Sequence, residues 1–513
     1  MNAMRGFLLF IICMVTCLQV CMAETITITY NEGSAATVGG DQVEDVKIAV
    51  KGNRVSIKDL RDYEKKLSTL TFVLKGKTSD GQLKLNTYVK ARILLDGVDL
   101  TCQEGAPIHL KNKKMVTMEC VKGSHNRIVI AACNDTAKNK QAAIWAKDKL
   151  TLTGKGTLQV EALGNGCKGI NCKDDLKIDE LTLSVVTKGD NLGVDTTKMM
   201  GPPMGGGNLP PREFNPDSIP EEIKKKFEEM RKKFEGMRPD GAQGMPGMMR
   251  EGMFPPRDSV QGMPPMGDMP GGMPGGKQKY IATCKGIKSA GTITIGSGTV
   301  SVETNSAGAE GIEGKKGVTI SGGNVTVNAV DDGMNSGGKI MFTGGNATVI
   351  SLTNDAIDSN LGGMMPPFGN DGFMESEKEK EPSIVVAGGT VMAWSKRGAP
   401  EEGLDCDFAP IEVSGGTLFS IGAGMGEMPS VPTEETAKQA TVLFIGLNFS
   451  EGEQVKVTDK AGKTLIDFKA PFDFQRSASL VSCPAFKAGG SYTLTSGKET
   501  KDFELNKQFT IVR

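Results

Sequence analysis

The stretch Glu310–Asp358, EGIEGKKGVTISGGNVTVNAVDDGMNSGGKIMFTGGNATVISLTNDAID, says one thing twice and begins it a third time. Each copy opens on a polar residue, a Gly or Ala, and an aliphatic: Glu310-Gly311-Ile312, Asp332-Gly333-Met334, Asp355-Ala356-Ile357, at spacings of 22 and 23 residues. The same phrase stands at Lys168-Gly169-Ile170, Lys285-Gly286-Ile287 and Glu402-Gly403-Leu404. Inside each copy a short apolar pair precedes a glycine turn (Val318/Ile320, Ile340/Phe342), and a second pair follows it (Val325/Val327, Ala347/Val349). Period-2 alternation in runs rich in β-branched residues reads as strand. Gly and Asn between the runs supply the backbone angles of tight corners. A repeat this short cannot bury a core of its own and must stack on its copies. The expectation is an all-β solenoid, a parallel β-helix with one coil per repeat. Strands of successive coils would pair in parallel ~4.8 Å apart, with Ile170, Ile312, Met334 and Ile357 pointing inward.

Working outward, the coils are expected over residues 92–198 and 280–425, behind an N-terminal β cap at 24–91 and before a small C-terminal β unit at 440–513. Two flexible insertions interrupt them. One, 199–279, is rich in Met, Pro and Gly and carries a short charged helix from Ser218 to about Gly236; the other spans 363–382. Such composition does not build a packed core. Residues 1–23 place Arg5 before an apolar run from Phe7 to Val20 and end Cys21-Met22-Ala23. This is the pattern of a secretory signal, so the protein is expected to be exported to the periplasm, medium or cell surface. A lipoprotein anchor at Cys21 is the alternative. No other segment is long and apolar enough to span a bilayer. The net charge of −1 gives no electrostatic reason to expect nucleic acid. Eight cysteines lie beyond the leader. Export permits disulfides, with Cys167/Cys172 one pairing to test. Cys102, Cys120, Cys133 and Cys284 read as small interior fillers.

The polar position of the repeated phrase is answered three residues later by another polar residue: Glu310/Glu313, Asp332/Asn335, Asp355/Asp358 and Glu402/Asp405. Stacked in register, these make a ladder of carboxylates, and like charges that close repel unless neutralised. Hard oxygen ligands at short spacing suit Ca²⁺. The expected metal site comprises Asp332, Asp355 and Asp358 with Asp331 and Asn335; Asp190 and Asp195 form a second candidate. The plain alternative is that Asp and Asn sit here because they favour tight corners. Lys168, Lys285 and Lys288 occupy the same phase in other copies. The edge therefore alternates in sign, which suits an acidic polymer. Trp145 and Trp394 each follow an inward-phased residue and are expected to face outward as platforms for sugar rings. With Glu402, Asp405 and Lys288 they form the expected substrate-binding set. No catalytic residue stands out: His109 and His125 lie in no nucleophile motif, and no nucleotide-binding fingerprint is present. A lyase base beside calcium would have to come from Lys288, Lys315, Lys339, Lys396 or Arg397.

Three further motifs carry a family resemblance. They are Leu94-Leu95-Asp96-Gly97-Val98-Asp99-Leu100 followed by Ala106-Pro107-Ile108-His109-Leu110-Lys111-Asn112, then Gln141-Ala142-Ala143-Ile144-Trp145-Ala146-Lys147-Asp148, and the corner Asp332-Gly333-Met334. Together these resemble the secreted bacterial carbohydrate-binding domain-containing proteins, over roughly residues 45–500 apart from the insertions. The resemblance implies a right-handed parallel β-helix similar to pectate lyases. It also implies calcium-assisted binding of plant or acidic polysaccharide without an established lyase reaction. It carries the family's acidic corner onto Asp332, Asp355 and Asp358. The chain departs from the family pattern at Lys168 and Leu192, where Asp is usual, and has Glu at 310 and 402. The function expected is polysaccharide binding; a lyase on the same scaffold and a structural or adhesive surface protein are the alternatives.

Overall fold

The computed structural model describes residues 24–61, 69–132, 141–194, 280–362, 381–406, 409–424 and 429–513. The leader, the 199–279 insertion with its helix, nearly all of the second insertion, Cys133, Asp195 and Asp407 lie outside the described residues. The chain divides into one unit of Met1–Val194 with Tyr280–Arg513, and a second, Asp195–Lys279, also outside them.

The alternating runs are strands, and the protein is all-β. In Thr299–Thr304 and Asn324–Ala329 every second residue is buried, and Val300, Val302, Val325 and Val327 are the inward ones. Burying one such aliphatic contributes about 1.5–3 kcal/mol, and one continuous core runs through these positions from Ile26 to Leu480.

Two long strands decide the architecture. Ala91–Cys102 pairs in parallel with both Val116–Cys120 and His125–Ile130. Lys339–Ser351 does the same with Gly317–Ile320 and Asn324–Ala329. Between them, two rows of shorter strands pair copy to copy. One runs through Leu150–Gly154, Leu176–Ile178 and Thr292–Ile295. The other runs through Thr157–Ala162, Thr182–Thr187 and Thr299–Thr304. The pairings return on themselves, so the sheet closes into a 12-strand parallel β-barrel with extra sheets. This corrects the expected right-handed parallel β-helix solenoid. The repeat places a strand-ending corner at Gly344-Gly345, yet the chain runs through it as one strand of 13 residues. Glycine makes that continuation possible. Gly345 has φ +74°, and a Cβ there would sit 2.5 Å from the backbone of Gly322.

The repeated polar–Gly–aliphatic phrase forms a separate 11-stranded sheet. Its strands pair in parallel from Arg54–Asp59 through Gln82–Thr87, Ile108–Asn112, Ala142–Ala146, Lys168–Cys172, Lys285–Ser289, Glu310–Gly314, Met334–Ser336 and Ile357–Ser359 to Leu404–Asp405. Its inward side chains, Ile144, Ile170, Ile287, Ile312, Met334 and Ile357, join the main core. At the N-terminal end an antiparallel hairpin, Val46–Lys51 with Arg54–Asp59, forms the edge. At the other end Thr441–Phe449 and Phe474–Ser482 attach antiparallel to the large sheet. A four-stranded antiparallel sheet follows them over 454–504. This region has its own aromatic core, including Phe419, Phe444, Phe449, Phe474 and Phe503.

Cys167 is disulfide-bonded while Cys172 is a buried free thiol, so the pair Cys167/Cys172 does not form. Cys102, Cys120 and Cys284 are buried free thiols.

Candidate functional site

Because the 11-stranded sheet is parallel and in register, the third residue after each phrase-opening residue stacks into one outward column. It reads Lys84, His109, Trp145, Asn171, Lys288, Glu313, Asn335, Asp358, Asp405. The phrase-opening residues Lys168, Lys285 and Glu310 stack beside it. The column is basic in its middle and acidic toward its C-terminal end.

The acidic end holds most of the expected metal site, and it is buried. Asp332 is 1 % exposed, and Asp355, Asp358, Asn335 and Glu402 are all buried; Asp331 and Asp405 are half-buried. Asn335 Nδ2 donates to Asp332 Oδ2 at 2.7 Å and to Asp358 Oδ2 at 2.9 Å. Asn354 Nδ2 donates to the other oxygen of Asp332 at 2.5 Å, and Asn360 Nδ2 to Asp358 at 2.9 Å. Asp355 Oδ1 accepts the Glu402 backbone N–H at 2.6 Å; Glu402 Oε2 accepts that of Ser430, also at 2.6 Å. Burial, then the Asp358, Asp331 and Glu310 charges, pushes the Asp332 carboxyl well above the usual range. Burial and Asp405 push Asp355 up to about 9 and Glu402 up to about 8.

In this structure the acids are held by amide and backbone donors. A calcium site needs six to eight oxygens converging on one point. Here an amide nitrogen sits between Asp332 and Asp358. Among the described residues no three carboxylate, imidazole or thiolate groups converge to hold a metal ion. The acids are brought together, as their spacing implies, but they are bridged by asparagine.

The basic middle is a buried ion network. Lys285 Nζ lies 2.6 Å from Glu310 and 2.9 Å from Glu313; Lys288 Nζ lies 2.6 Å from Glu313, and Lys315 also pairs with it. Burial alone would raise the Glu313 pKa, but Lys285 and Lys288 outweigh it and hold the carboxyl well below its usual value. Of the remaining cations named as lyase bases, Lys339 pairs with Glu381 and Arg397 with Glu401.

The two tryptophans are not exposed platforms. Each is 6 % exposed. Trp394 points to the outer side of its strand, but that side is covered. Phe468 of the C-terminal sheet stacks on it with ring centroids 5.6 Å apart. Trp145 packs with Ala106 and Ala142 and takes the edge of His109 at 4.8 Å. Both readings fail for one reason: alternation gives the direction of a side chain, not what lies over it.

An open groove of about 590 Å³ lies elsewhere, on the outer face of the barrel over His125–Ile130, Thr157–Ala162 and Thr182–Thr187. His125, Arg127, Thr157, Gln159, Thr182 and Ser184 line it, with Asp99 at one side. Arg127 is held by Glu161 at 2.7 Å and Asp99 at 3.3 Å, and Gln159 donates to Glu161 at 2.9 Å. His125 Nδ1 lies 2.9 Å from Thr157 Oγ1. The outward rows continue past the groove through Thr299/Ser301, Asn324/Thr326 and Asn346/Thr348. None of these residues stood out in the sequence. Their only signal is that they are the polar halves of the alternating runs.

Residues 67–201 and 273–356 match the family model of carbohydrate-binding domain-containing proteins, in agreement with the resemblance read from the motifs. A carbohydrate-binding domain-containing protein from Acetivibrio thermocellus is 34 % identical over 113 residues, 21 % of this chain and 39 % of that protein. The chain thus matches well under two thirds of that relative's length. Among solved structures, a polysaccharide lyase-like protein from C. thermocellum, studied as a gadolinium derivative, is similar at 16 % identity. That likeness covers 76 % of this chain and 97 % of that one, with a TM-score of 0.38. No helix of the described residues is long and apolar enough to cross a membrane.

Proposed function

We propose that this protein is an exported polysaccharide-binding protein whose glycan lies in the groove on the barrel's outer face. One observation carries the reading. The groove is the open end of regular rows of hydroxyl and amide side chains, repeated from strand to strand about 4.8 Å apart on a surface backed by a packed core. A polysaccharide presents hydroxyls at regular intervals, each a donor and an acceptor, and such rows answer them without a deep pocket. The family match supports carbohydrate as the ligand class. The leader-like residues 1–23 and the disulfide at Cys167 support export. Arg127 pairs with Glu161 and Asp99, and Lys77 also pairs with Asp99 at 3.4 Å, so the charges around the groove balance, which favours neutral glycans. Calcium has no part in this reading.

The test is binding of the full chain to soluble neutral glucans, mannans and xylans, with and without chelator, while ultraviolet absorbance is followed. Chelator-insensitive binding that weakens about thirtyfold in Gln159→Ala/Ser184→Ala is expected, from the loss of two hydrogen bonds of about 1 kcal/mol each. Binding that the double variant leaves untouched would remove the groove from the reading. Growth of unsaturated product would make the protein a lyase.

A further inference from the structure

In two adjacent copies of the repeat, the residue just before the polar–Gly–aliphatic phrase is cysteine. Lys168 pairs in register with Lys285, so Cys167 and Cys284, one residue earlier, are neighbours across the same parallel ladder. Such neighbours lie ~4.8 Å apart, inside the Cα separation of about 4.4–6.8 Å that a disulfide spans. Both side chains are fully buried. Hydrogen bonds tie the two positions together. The Asp190 carbonyl accepts from the Gly166 N–H at 2.7 Å and from the Cys284 thiol at 3.2 Å. Lys168 Nζ reaches across to the Thr283 carbonyl at 2.7 Å. Yet the two sulfurs differ in state: Cys167 is disulfide-bonded, whereas Cys284 is a free thiol. Of the eight cysteines beyond the leader, Cys102, Cys120, Cys172, Cys284, Cys406 and Cys483 are free, which leaves Cys133 for Cys167. The Cys284 sulfur also has neighbours that favour a thiolate. Burial raises its pKa, while the Gly166 backbone, the Lys168 ammonium, the Ser306 hydroxyl and the Cys167 backbone act against that rise.

We propose that Cys284 is a second partner for Cys167, reached by thiol–disulfide exchange between adjacent strands of the 11-stranded sheet. The Cys284 thiol gives up its proton, and its sulfur attacks Cys167 Sγ. The Cys167–Cys284 bond forms, the bond from Cys167 to Cys133 breaks, and Cys133 leaves as a thiolate that takes up a proton. One disulfide replaces another, so the step needs neither oxidant nor reductant. The two forms hold different parts of the chain. A bond from Cys133 to Cys167 closes a loop wholly N-terminal to the 199–279 insertion. A bond from Cys167 to Cys284 joins the strands Lys168–Cys172 and Lys285–Ser289, which flank that insertion. The exchanged form therefore staples the sheet across the insertion, and a chain cut within 199–279 would stay covalently one molecule.

The experiment uses the methionines that flank these cysteines. The full oxidised chain is held at about pH 8.5, where thiolates form, then quenched in acid, cleaved with cyanogen bromide, and its fragments weighed without reduction. Met118 and Met199 bound one fragment, which carries Cys133 and Cys167 together; Met273 and Met334 bound another, whose one cysteine is Cys284. A bond from Cys133 to Cys167 leaves the two fragments separate, and a Cys167–Cys284 bond joins them. In wild type the joined species is expected to grow from none to a measurable fraction over minutes to hours, with tandem mass spectra placing its link at Cys167. In Cys133→Ser, mild oxidation with diamide should convert the chain to the joined species, because Cys284 is then the thiol beside Cys167. Wild-type fragments that stay separate would overturn the proposal. So would a link to Cys120, Cys133 or Cys172 in place of Cys167, or a Cys133→Ser chain that diamide leaves unjoined.

Discussion

The two outward faces of this protein handle polarity in opposite ways. The 11-stranded sheet turns charged residues outward and then buries them: Lys285, Glu313, Asp332 and Asp358 are each at most 5 % exposed. Beside the paired Arg127, Asp99 and Glu161, the barrel face turns neutral residues outward and leaves Gln159, Thr182, Ser301 and Asn324 exposed. A buried charge must find a partner, whereas an exposed hydroxyl is satisfied by water and keeps its hydrogen bonds for exchange with a ligand. The charged column is therefore a pairing problem solved copy by copy, by lysine at Glu313 and by asparagine at Asp332. The neutral face is a surface with bonding capacity to spare.

The contrast breaks most visibly at Glu313. Three lysines pair with its carboxylate. Glu313→Gln keeps the shape and removes the charge, leaving Lys288 without its carboxylate partner in a largely buried place and Lys285 with Glu310 alone. Breaking a buried pair from one side costs about 3–5 kcal/mol, and denaturant unfolding should show a loss of that size. An equal truncation on the barrel face, Gln159→Ala, should leave stability within about 0.5 kcal/mol. If Glu313→Gln unfolds at the wild-type midpoint, the network is not buried as described.

The next effect is a pH dependence confined to the acidic end. Asp355 has its pKa raised from 3.8 to about 9 by burial and by Asp405, with smaller contributions from Asp332 and Glu401. A raised folded value means that the folded state holds its proton more tightly than the unfolded one. The stabilisation is fully present below the unfolded value and is lost as pH rises through the folded one. Glu402, raised to about 8, acts in the same direction. Melting temperature should therefore fall between about pH 5 and about pH 9 through these groups. Asp355→Asn, neutral at every pH, should flatten part of that slope and raise Tm at the alkaline end. A slope of opposite sign, or one the variant leaves unchanged, would mean that the carboxylates are ionised and otherwise neutralised. A cation bound at the acids would produce that result.

Much of this was legible in the residues because parallel pairing in register turns spacing into position. Phrase openings 22 and 23 residues apart, each with its partner three residues on, set Glu313, Asn335, Asp358 and Asp405 in one column once the strands stack. The alternating runs marked the strands and their inward aliphatics for the same reason. What was not legible depends on distant chain. Closure of the barrel rests on two strands that pass through glycines where a corner is equally plausible. The covering of Trp394 rests on Phe468, 74 residues later in the chain. The orientation of Asn335 was also not legible. In sequence that residue counts as one more oxygen ligand; in the structure it is the donor that holds two acids apart.

The smallest expected effect measures how far the neutral face works as one surface. Beyond the groove its rows reach Asn324 and Asn346, where Asn346 Nδ2 donates to Asn324 Oδ1 at 2.9 Å. Both residues are exposed, so Asn346→Ala should move Tm little. A long neutral glycan in the groove, running across the strands, would reach Asn346 four strands beyond Thr157. Losing one solvent-competed hydrogen bond of about 0.5–1.5 kcal/mol would then weaken binding about two- to tenfold. A short oligomer confined to the groove would feel nothing. Affinity measured against chain length in wild type and Asn346→Ala separates the cases. If the two proteins diverge only for long chains, the face acts as a continuous track. If they never diverge, recognition is confined to Arg127, Gln159 and their immediate neighbours, and the rows beyond the groove are ordinary solvated sheet.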